Sequence, residues 1–313
     1  MIRLKLSTIG RAAIALGAIS ILLYLVDLTE LIDAVRSTNL QFFWLAVVCL
    51  VLNRFLVATR WWLFIVNSNQ TTRWSKIVHA IFVSSFLGSF FPTGLGEDVF
   101  RVYYLDRSVG PRSQIFASVI LDRLSGMVAL GCLSLIGISY VFFQNTTLPI
   151  GGLAFLGAIL MFGPIFLPVM ARAAPRFKVF AKHLNKHNVV SFLADAATVV
   201  GKIRLNSRLA AMTLLISFLI QLGRCIMFYL LYVAIDSPVS LVEVIVLIPP
   251  VLLALVLPIS FGGIGIREAG LSIMFAFIGI SLEESISVGL LFYGAELISF
   301  SPGLILLVIG RRQ

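Results

Sequence analysis

The sequence predicts an all-α polytopic integral membrane protein. It has about six to eight spans, with two Pro/Gly-broken re-entrant hairpins arranged as an inverted repeat. Three observations lead there. First, of 313 residues 59% are hydrophobic and 12% charged, with mean hydropathy +1.04, against about 45–50% and about 25% in soluble domains. So little polar surface cannot cover a soluble core, which excludes a soluble enzyme, a nucleic-acid binder, a disordered chain and a secreted disulfide scaffold. Second, the apolar residues form long uninterrupted runs. Third, two of those runs break at proline, pass through a glycine-rich turn and resume beside a carboxylate.

Arg3, Lys5 and Arg11 precede an apolar run over 12–28. Tyr24-Leu25-Val26 offers no small-residue cleavage site, so the run reads as a retained first span rather than a signal peptide. Further apolar runs cover 42–66, 77–92, 114–143, 150–171, 209–234, 241–260, 268–281 and 285–310. A helix needs about 20 residues to cross about 30 Å of hydrocarbon. The runs 77–92 and 268–281 fall short of that.

Net charge is +10, from 24 Lys+Arg and 14 Asp+Glu. The cations lie mostly between apolar runs, which points to topology and anionic lipid rather than nucleic acid. The stretch 172–208 carries eight Lys/Arg against Asp195 alone and is expected in the cytoplasm. The same rule places both termini, Arg73/Lys76 and Arg101/Arg107/Arg112 inside, and 30–33, 144–149, 236–243 and 283–284 outside. Phe177, Phe180 and Leu184 recur at helical spacing in the basic loop. They suit an interfacial amphipathic helix or a solvated linker equally. Cys49, Cys132 and Cys225 are far apart, and His183/His187 lack a third ligand. Neither a disulfide framework nor a metal site is expected, and no cofactor.

The first broken stretch runs from Phe90 through Pro92, Gly94 and Gly96 to Glu97-Asp98; the second runs from Leu257 through Pro258, Gly262, Gly263 and Gly265 to Arg267-Glu268. Broken backbone at membrane depth is tolerated only inside protein or along a wet cavity. Short apolar arms make re-entrant hairpins the natural solution, at about 77–104 and 241–281. By the charge rule they enter from opposite faces. The repeat halves are then 42–143 and 209–310. For 241–281, two short tilted spans are the alternative.

Charges inside apolar runs gather in the same halves: Arg54, Arg60, Asp122, Arg123, Arg224 and Glu296, with Gln221 beside them. An ion at the bilayer centre costs about 2.5–3.5 kcal/mol even on lenient scales, so it pairs, faces a cavity or snorkels. Arg60, near the end of its run beside Trp61-Trp62, is a candidate for snorkelling. Asp122-Arg123 suits a local pair, and Glu97/Arg101 at i,i+4 suits a surface ion pair. Arg224 and Glu296 lie well inside their runs. Arg54, Arg60, Arg101, Arg123, Arg224 and Arg267 are suited to a phosphate, which Arg grips through parallel hydrogen bonds. Glu97, Asp98, Asp122, Glu268 and Glu296 balance those arginines or meet a cationic headgroup. Together these residues form the candidate lipid-headgroup site, with Pro92, Gly94, Gly96, Pro258, Gly262, Gly263 and Gly265 as hairpin hinges.

These motifs resemble the flippase-like family of the lysylphosphatidylglycerol synthase transmembrane region. Arg60-Trp61, Pro92 to Asp98 with Arg101, Asp122-Arg123, Pro258 with Gly262 to Glu268, Tyr293 and Pro302-Gly303 carry the likeness, over about 10–310. The resemblance implies an integral membrane domain that translocates lipid. In bifunctional relatives it moves an aminoacylated phosphatidylglycerol outward, beside a soluble aminoacyl-transferase domain. This chain ends at Gln313, three residues after its last run, without such a domain. Other stand-alone members imply a different phospholipid or a polyprenyl-linked sugar as cargo.

The expected function is therefore a lipid flippase or scramblase, not an enzyme, in the cytoplasmic membrane of a prokaryote. Its partners are anionic or zwitterionic phospholipids, with a homo-oligomer possible through Gly126–Gly131 or Gly151–Gly163. No nucleotide-binding motif supplies ATP energy. Two alternatives stand beside it. One is a membrane transferase on a lipid-linked substrate, with Asp27, Glu30 and Asp33 as an acidic metal loop. The other is an ion or small-solute transporter.

Overall fold

A computed structural model describes residues 36–68, 72–89, 96–105, 109–143, 207–255 and 265–310. The runs at 12–28 and 150–171, nearly all of the basic loop, and the hinge residues Pro92, Gly94, Pro258, Gly262 and Gly263 lie outside the described residues. Among those described there are eight α-helices and no strand. They are α1 (Leu40–Asn67), α2 (Trp74–Ser89), α3 (Gly96–Tyr104), α4 (Arg112–Phe143), α5 (Ser207–Ala234), α6 (Leu241–Ala254), α7 (Ile266–Ala276) and α8 (Leu282–Gly310).

Four helices are long and apolar enough to cross a membrane: Leu40–Asn67, Gln114–Gly137, Ser207–Ala234 and Leu282–Leu307. The other four have 16, 9, 14 and 11 residues. Among the described residues the order is thus long, short, short, long, twice over. The expected helix over 241–260 stops at Ala254, and the one over 268–281 at Ala276.

Three of the helices begin with side-chain caps. Asn39 accepts from the Gln41 amide (3.0 Å) and opens α1. Ser240 and Glu243 form a capping box at α6, and Ser281 and Glu284 exchange the same bonds at α8 (3.1 and 3.0 Å). Two carboxylates that the charge rule assigned to external connections therefore hold helix starts. α7 begins at Gly265, whose φ of +84° favours glycine and aims its N–H at Glu268 Oε2 (2.6 Å).

The packing repeats with the elements. α1 packs on α5. Every other substantial contact among the described helices has a partner when each helix is replaced by its counterpart four places along: α2–α3 and α6–α7, α2–α8 and α6–α4, α1–α2 and α5–α6, α3–α4 and α7–α8, α1–α4 and α5–α8, α4–α5 and α8–α1. α1 and α5 run antiparallel. Asn39 N donates to Ala234 O (2.7 Å), Cys49 Sγ to Gly223 O (3.3 Å), Asn53 Nδ2 to Ile220 O (3.0 Å) and Arg60 Nη1 to Ser217 Oγ (2.9 Å). One helix's numbers rise as the other's fall.

Between lipid-facing helices apolar burial gives little drive, so packing and interhelical hydrogen bonds hold the bundle. One buried cluster joins Ala46, Val47 and Leu50 to Phe228, Tyr232, Phe275 and Phe292. There Phe228 stacks on Phe292 (4.9 Å) and Tyr232 on Phe275 (4.4 Å). A second cluster joins Val57, Trp61 and Ile65 to Ile77, Ile81, Ile115 and Ile220. α1 serves both, its first half facing one and its second half the other. Pro249 and Pro250 sit inside α6 and are buried. Each removes a helical N–H, so the carbonyls of Ile245 and Val246 have no partner in the ladder.

The short helix of each quartet leans on the last helix of the other, and glycine permits both contacts. A Cβ at Gly137 of α4 would come within 3.0 Å of Val246 Cα in α6, while one at Gly303 of α8 would collide with the Phe82 carbonyl of α2. Gly303→Ala should destabilise the protein by about 1–3 kcal/mol. Gly294→Ala, on the same helix with nothing within 4 Å, should leave the melting temperature in detergent unchanged. Equal melting of the two variants would show that α8 does not rest on α2 through this glycine.

Candidate functional site

The charged residues of the first quartet form a ladder. Asp122 of α4, 2% exposed, accepts Arg60 Nε on one oxygen (2.6 Å) and Arg101 Nη1 on the other (3.1 Å). Arg101 of α3 also binds Glu97 Oε1, one turn earlier. Glu97 meets Arg54 Nη1 of α1 (3.5 Å) and accepts Ser85 Oγ of α2 (3.0 Å), which itself accepts from Arg54 (3.2 Å). Arg54 Nη2 then reaches Glu296 Oε1 of α8 at 3.5 Å. Four helices, one from the other quartet, are tied by one alternating chain of charge, and α2 joins it through the Ser85 hydroxyl. A branch leads from Asp98 Oδ2 to Arg123 Nε (2.8 Å).

Rings support the cations. The Arg101 guanidinium lies 5.6 Å from the Trp61 ring centre, and that of Arg54 lies 4.4 Å from Phe300. A cation over an aromatic face gains from the ring quadrupole where water is scarce. Trp61 is itself fixed by its indole N–H on Ser118 Oγ (3.0 Å).

Arg267 and Glu268 form a separate pair, 2.7 Å apart and nearly inaccessible. Arg267 packs over Phe292 (4.7 Å) and Tyr293 (5.8 Å). Glu268 holds the start of α7 through Gly265. Glu296 lies in the field of Arg54, Arg267, Arg224 and Glu97, so it faces charges of both quartets.

Three sequence expectations change. Arg60 does not snorkel: it is buried, with its guanidinium on Asp122 and Ser217. Asp122 and Arg123 are not a local pair, because neighbours on a helix point about 100° apart. Asp122 turns inward to Arg60 and Arg101, while Arg123, its side chain 42% exposed, pairs with Asp98. Glu97/Arg101 is an ion pair as spaced, but Arg101 is buried and shared with Asp122, so it is no surface pair. Gln221 donates to the Gly126 carbonyl (3.0 Å) and ties α5 to α4. Gly96 is the first residue of α3 and buried. Ser85, Ser217 and Phe300 join the network without having been singled out; serines inside apolar runs are the signal that was there to follow. Among the described residues no group of His, Cys, Asp and Glu is placed to hold a metal ion.

Arg224 stands apart. No carboxylate among the described residues lies within 4.0 Å of it, although Arg54, Arg123, Glu296 and Arg60 all lie within electrostatic reach.

A family model described as the lysylphosphatidylglycerol synthase TM region matches residues 8–303. The chain belongs to this family. As a member of the lysylphosphatidylglycerol synthase TM region family with four helices fit to cross a bilayer, it is an integral membrane protein connected with lipid. No curated protein and no solved structure matches it. The family match takes in both quartets and every residue of the ladder.

Proposed function

We propose that this protein is a flippase or scramblase that moves a phosphate-bearing phospholipid between leaflets, without chemical conversion, in the cytoplasmic membrane of a prokaryote with both termini inside. The observation that carries this reading is the charged ladder, with Arg224 in its electrostatic reach, set inside apolar helices where the two quartets meet. A headgroup entering there exchanges water for arginine, while its acyl chains stay in lipid. Moving the same headgroup through bare hydrocarbon would expose its charge to the full cost of desolvation.

The architecture is in keeping with such a role. Two quartets with matching contacts, whose first helices run antiparallel, are what an inverted repeat requires, and inverted repeats put binding sites at their interface. At 1.5 Å per residue α2 is about 24 Å long and α6 about 21 Å, with α3 and α7 shorter still. That supports reading α2–α3 and α6–α7 as hairpins dipping from opposite faces.

The test is purified protein in liposomes with fluorescent lipids and an external quencher, with and without an imposed proton gradient. Wild type should expose protected label at least ten times faster than empty liposomes, and Glu296→Ala should abolish the gain. No gain for any phospholipid in either condition would refute the reading. Turnover of a lipid-linked substrate in detergent, where leaflets do not exist, would replace it with a transferase.

A further inference from the structure

We infer that Glu296 is a proton-binding site: on taking up a proton it lets go of Arg54 and unlatches α8 from α1. This rests on the flippase reading and names what drives it. Glu296 ends the charged ladder, where Arg54 Nη2 reaches it from the other quartet at 3.5 Å. Among the described residues its carboxylate accepts no hydrogen bond; Ser299 Oγ donates to its backbone carbonyl instead (2.7 Å). The other carboxylates of the ladder each accept from arginine: Glu97 from Arg101, Asp98 from Arg123, and Asp122 from Arg60 and Arg101. Such charge-assisted bonds are roughly twice as strong as neutral ones, and a proton on the acceptor ends that advantage. A proton on Asp122 would also strip Arg60 of its counter-ion. A proton on Glu296 strips nothing, because Arg54 keeps Glu97 (3.5 Å), Ser85 Oγ (3.2 Å) and the Phe300 ring. Asp98 likewise ends a branch, but its partner Arg123 belongs to the same quartet, so its neutralisation unlatches nothing. The Glu296 side chain is 24% exposed, which gives a proton a way in.

The effect of that proton falls between the quartets. α1 stays fastened to α5 through Asn53 and Arg60 (3.0 and 2.9 Å), whereas α8 loses its ion pair with α1. A lipid phosphate can then take the place of the Glu296 carboxylate on Arg54. Proton and lipid therefore bind together and travel the same way. The charged groups around Glu296 are Arg54 from α1, Glu97 from α3, Arg224 from α5 and Arg267 from α7. From α2, the titratable side chain that meets α8 is His79, at the Leu306 carbonyl (3.2 Å), about three turns beyond Glu296.

The experiment uses the full chain in phosphatidylglycerol-containing liposomes, with Cys49, Cys132 and Cys225 replaced by alanine. Spin labels go on Leu52→Cys of α1 and Leu297→Cys of α8, both exposed positions. Label distances are compared at about pH 8 and about pH 5, a range that also spans imidazole titration. The parent chain should show one distance at the higher pH and a second, longer one at the lower. Glu296→Gln, neutral at every pH, should show the longer distance at both, while Asp98→Asn keeps the parent's response. No change with pH in the parent overturns the inference, and so does Glu296→Gln behaving like the parent, which would hand the switch to His79. Transport is read separately, with protected fluorescent phosphatidylglycerol or lysyl-phosphatidylglycerol in the inner leaflet. Acidifying the interior should speed exposure of the label at least about fivefold, the lower end of typical coupling between sites, and acidifying the exterior should not. In Glu296→Gln the two directions of gradient should give equal rates. A latch that answers to pH in a protein that moves no lipid refutes the flippase reading alone. Lipid movement whose gradient response survives in Glu296→Gln refutes the proton site alone.

Discussion

Asp122→Asn is expected to cost about 3–5 kcal/mol of stability, the largest loss from any single change in the ladder. Both oxygens of this carboxylate are in use, and its two guanidinium partners come from different helices, α1 and α3. Removing one partner of a buried pair leaves an uncompensated charge, and that penalty exceeds what the pair itself contributes. Here one substitution removes the carboxylate paired with Arg60 and one of the three within 4.0 Å of Arg101. The midpoint for heat-induced loss of the monodisperse peak in detergent should fall by about 10 °C or more. Asp98→Asn is the comparison: its principal partner Arg123 is 42% exposed at the side chain, water replaces the lost contact, and the change should stay near 1 kcal/mol or below. Similar falls for the two variants would mean that Arg60 and Arg101 reach water and that the ladder is not buried in the membrane domain.

Arg224→Met should do the opposite to stability. A guanidinium that has no carboxylate within 4.0 Å among the described residues, on a helix as apolar as α5, is a load on the fold rather than a support. Methionine matches its unbranched stem and removes the charge. A gain of about 1–3 kcal/mol is expected, visible as a higher melting midpoint. In the same variant lipid movement should fall at least tenfold. A residue that weakens the fold yet is needed for activity marks a site kept for function. Should Arg224→Met melt lower than wild type, the arginine has a stabilising partner.

The helical class and most of the residues in the ladder were readable because a membrane makes charge conspicuous: Arg54, Arg60, Asp122 and Glu296 interrupt runs that are otherwise apolar. What sequence spacing did not reveal was partnership. Adjacency suggested Asp122 with Arg123, whereas the helix turns them to different neighbours. Proximity to a run's end suggested that Arg60 escapes to the surface, but the fold brings Asp122 and Ser217 to it from positions 62 and 157 residues away. Such contacts depend on how four long helices cross, which no local window encodes. The passages from α2 to α3 and from α6 to α7 fall on the broken motifs at 90–98 and 257–268. The exchange by which each short helix leans on the other quartet's last helix was not, because it rests on single glycines such as Gly137 and Gly303.

The adjacent prolines of α6 have a mechanical consequence. With two successive rungs of its ladder missing, α6 bends at less cost than an intact helix, and α2, its counterpart, contains no proline. The first quartet is moreover cross-braced by the ion ladder, while the second has, among the described residues, one pair within itself, Arg267 with Glu268. Under the proposed flippase function the matched halves would differ in compliance, the first the stiffer and the second carrying the joint. A stroke that exposes the site first to one leaflet and then to the other would be lopsided, with the deformation concentrated around residues 245–250.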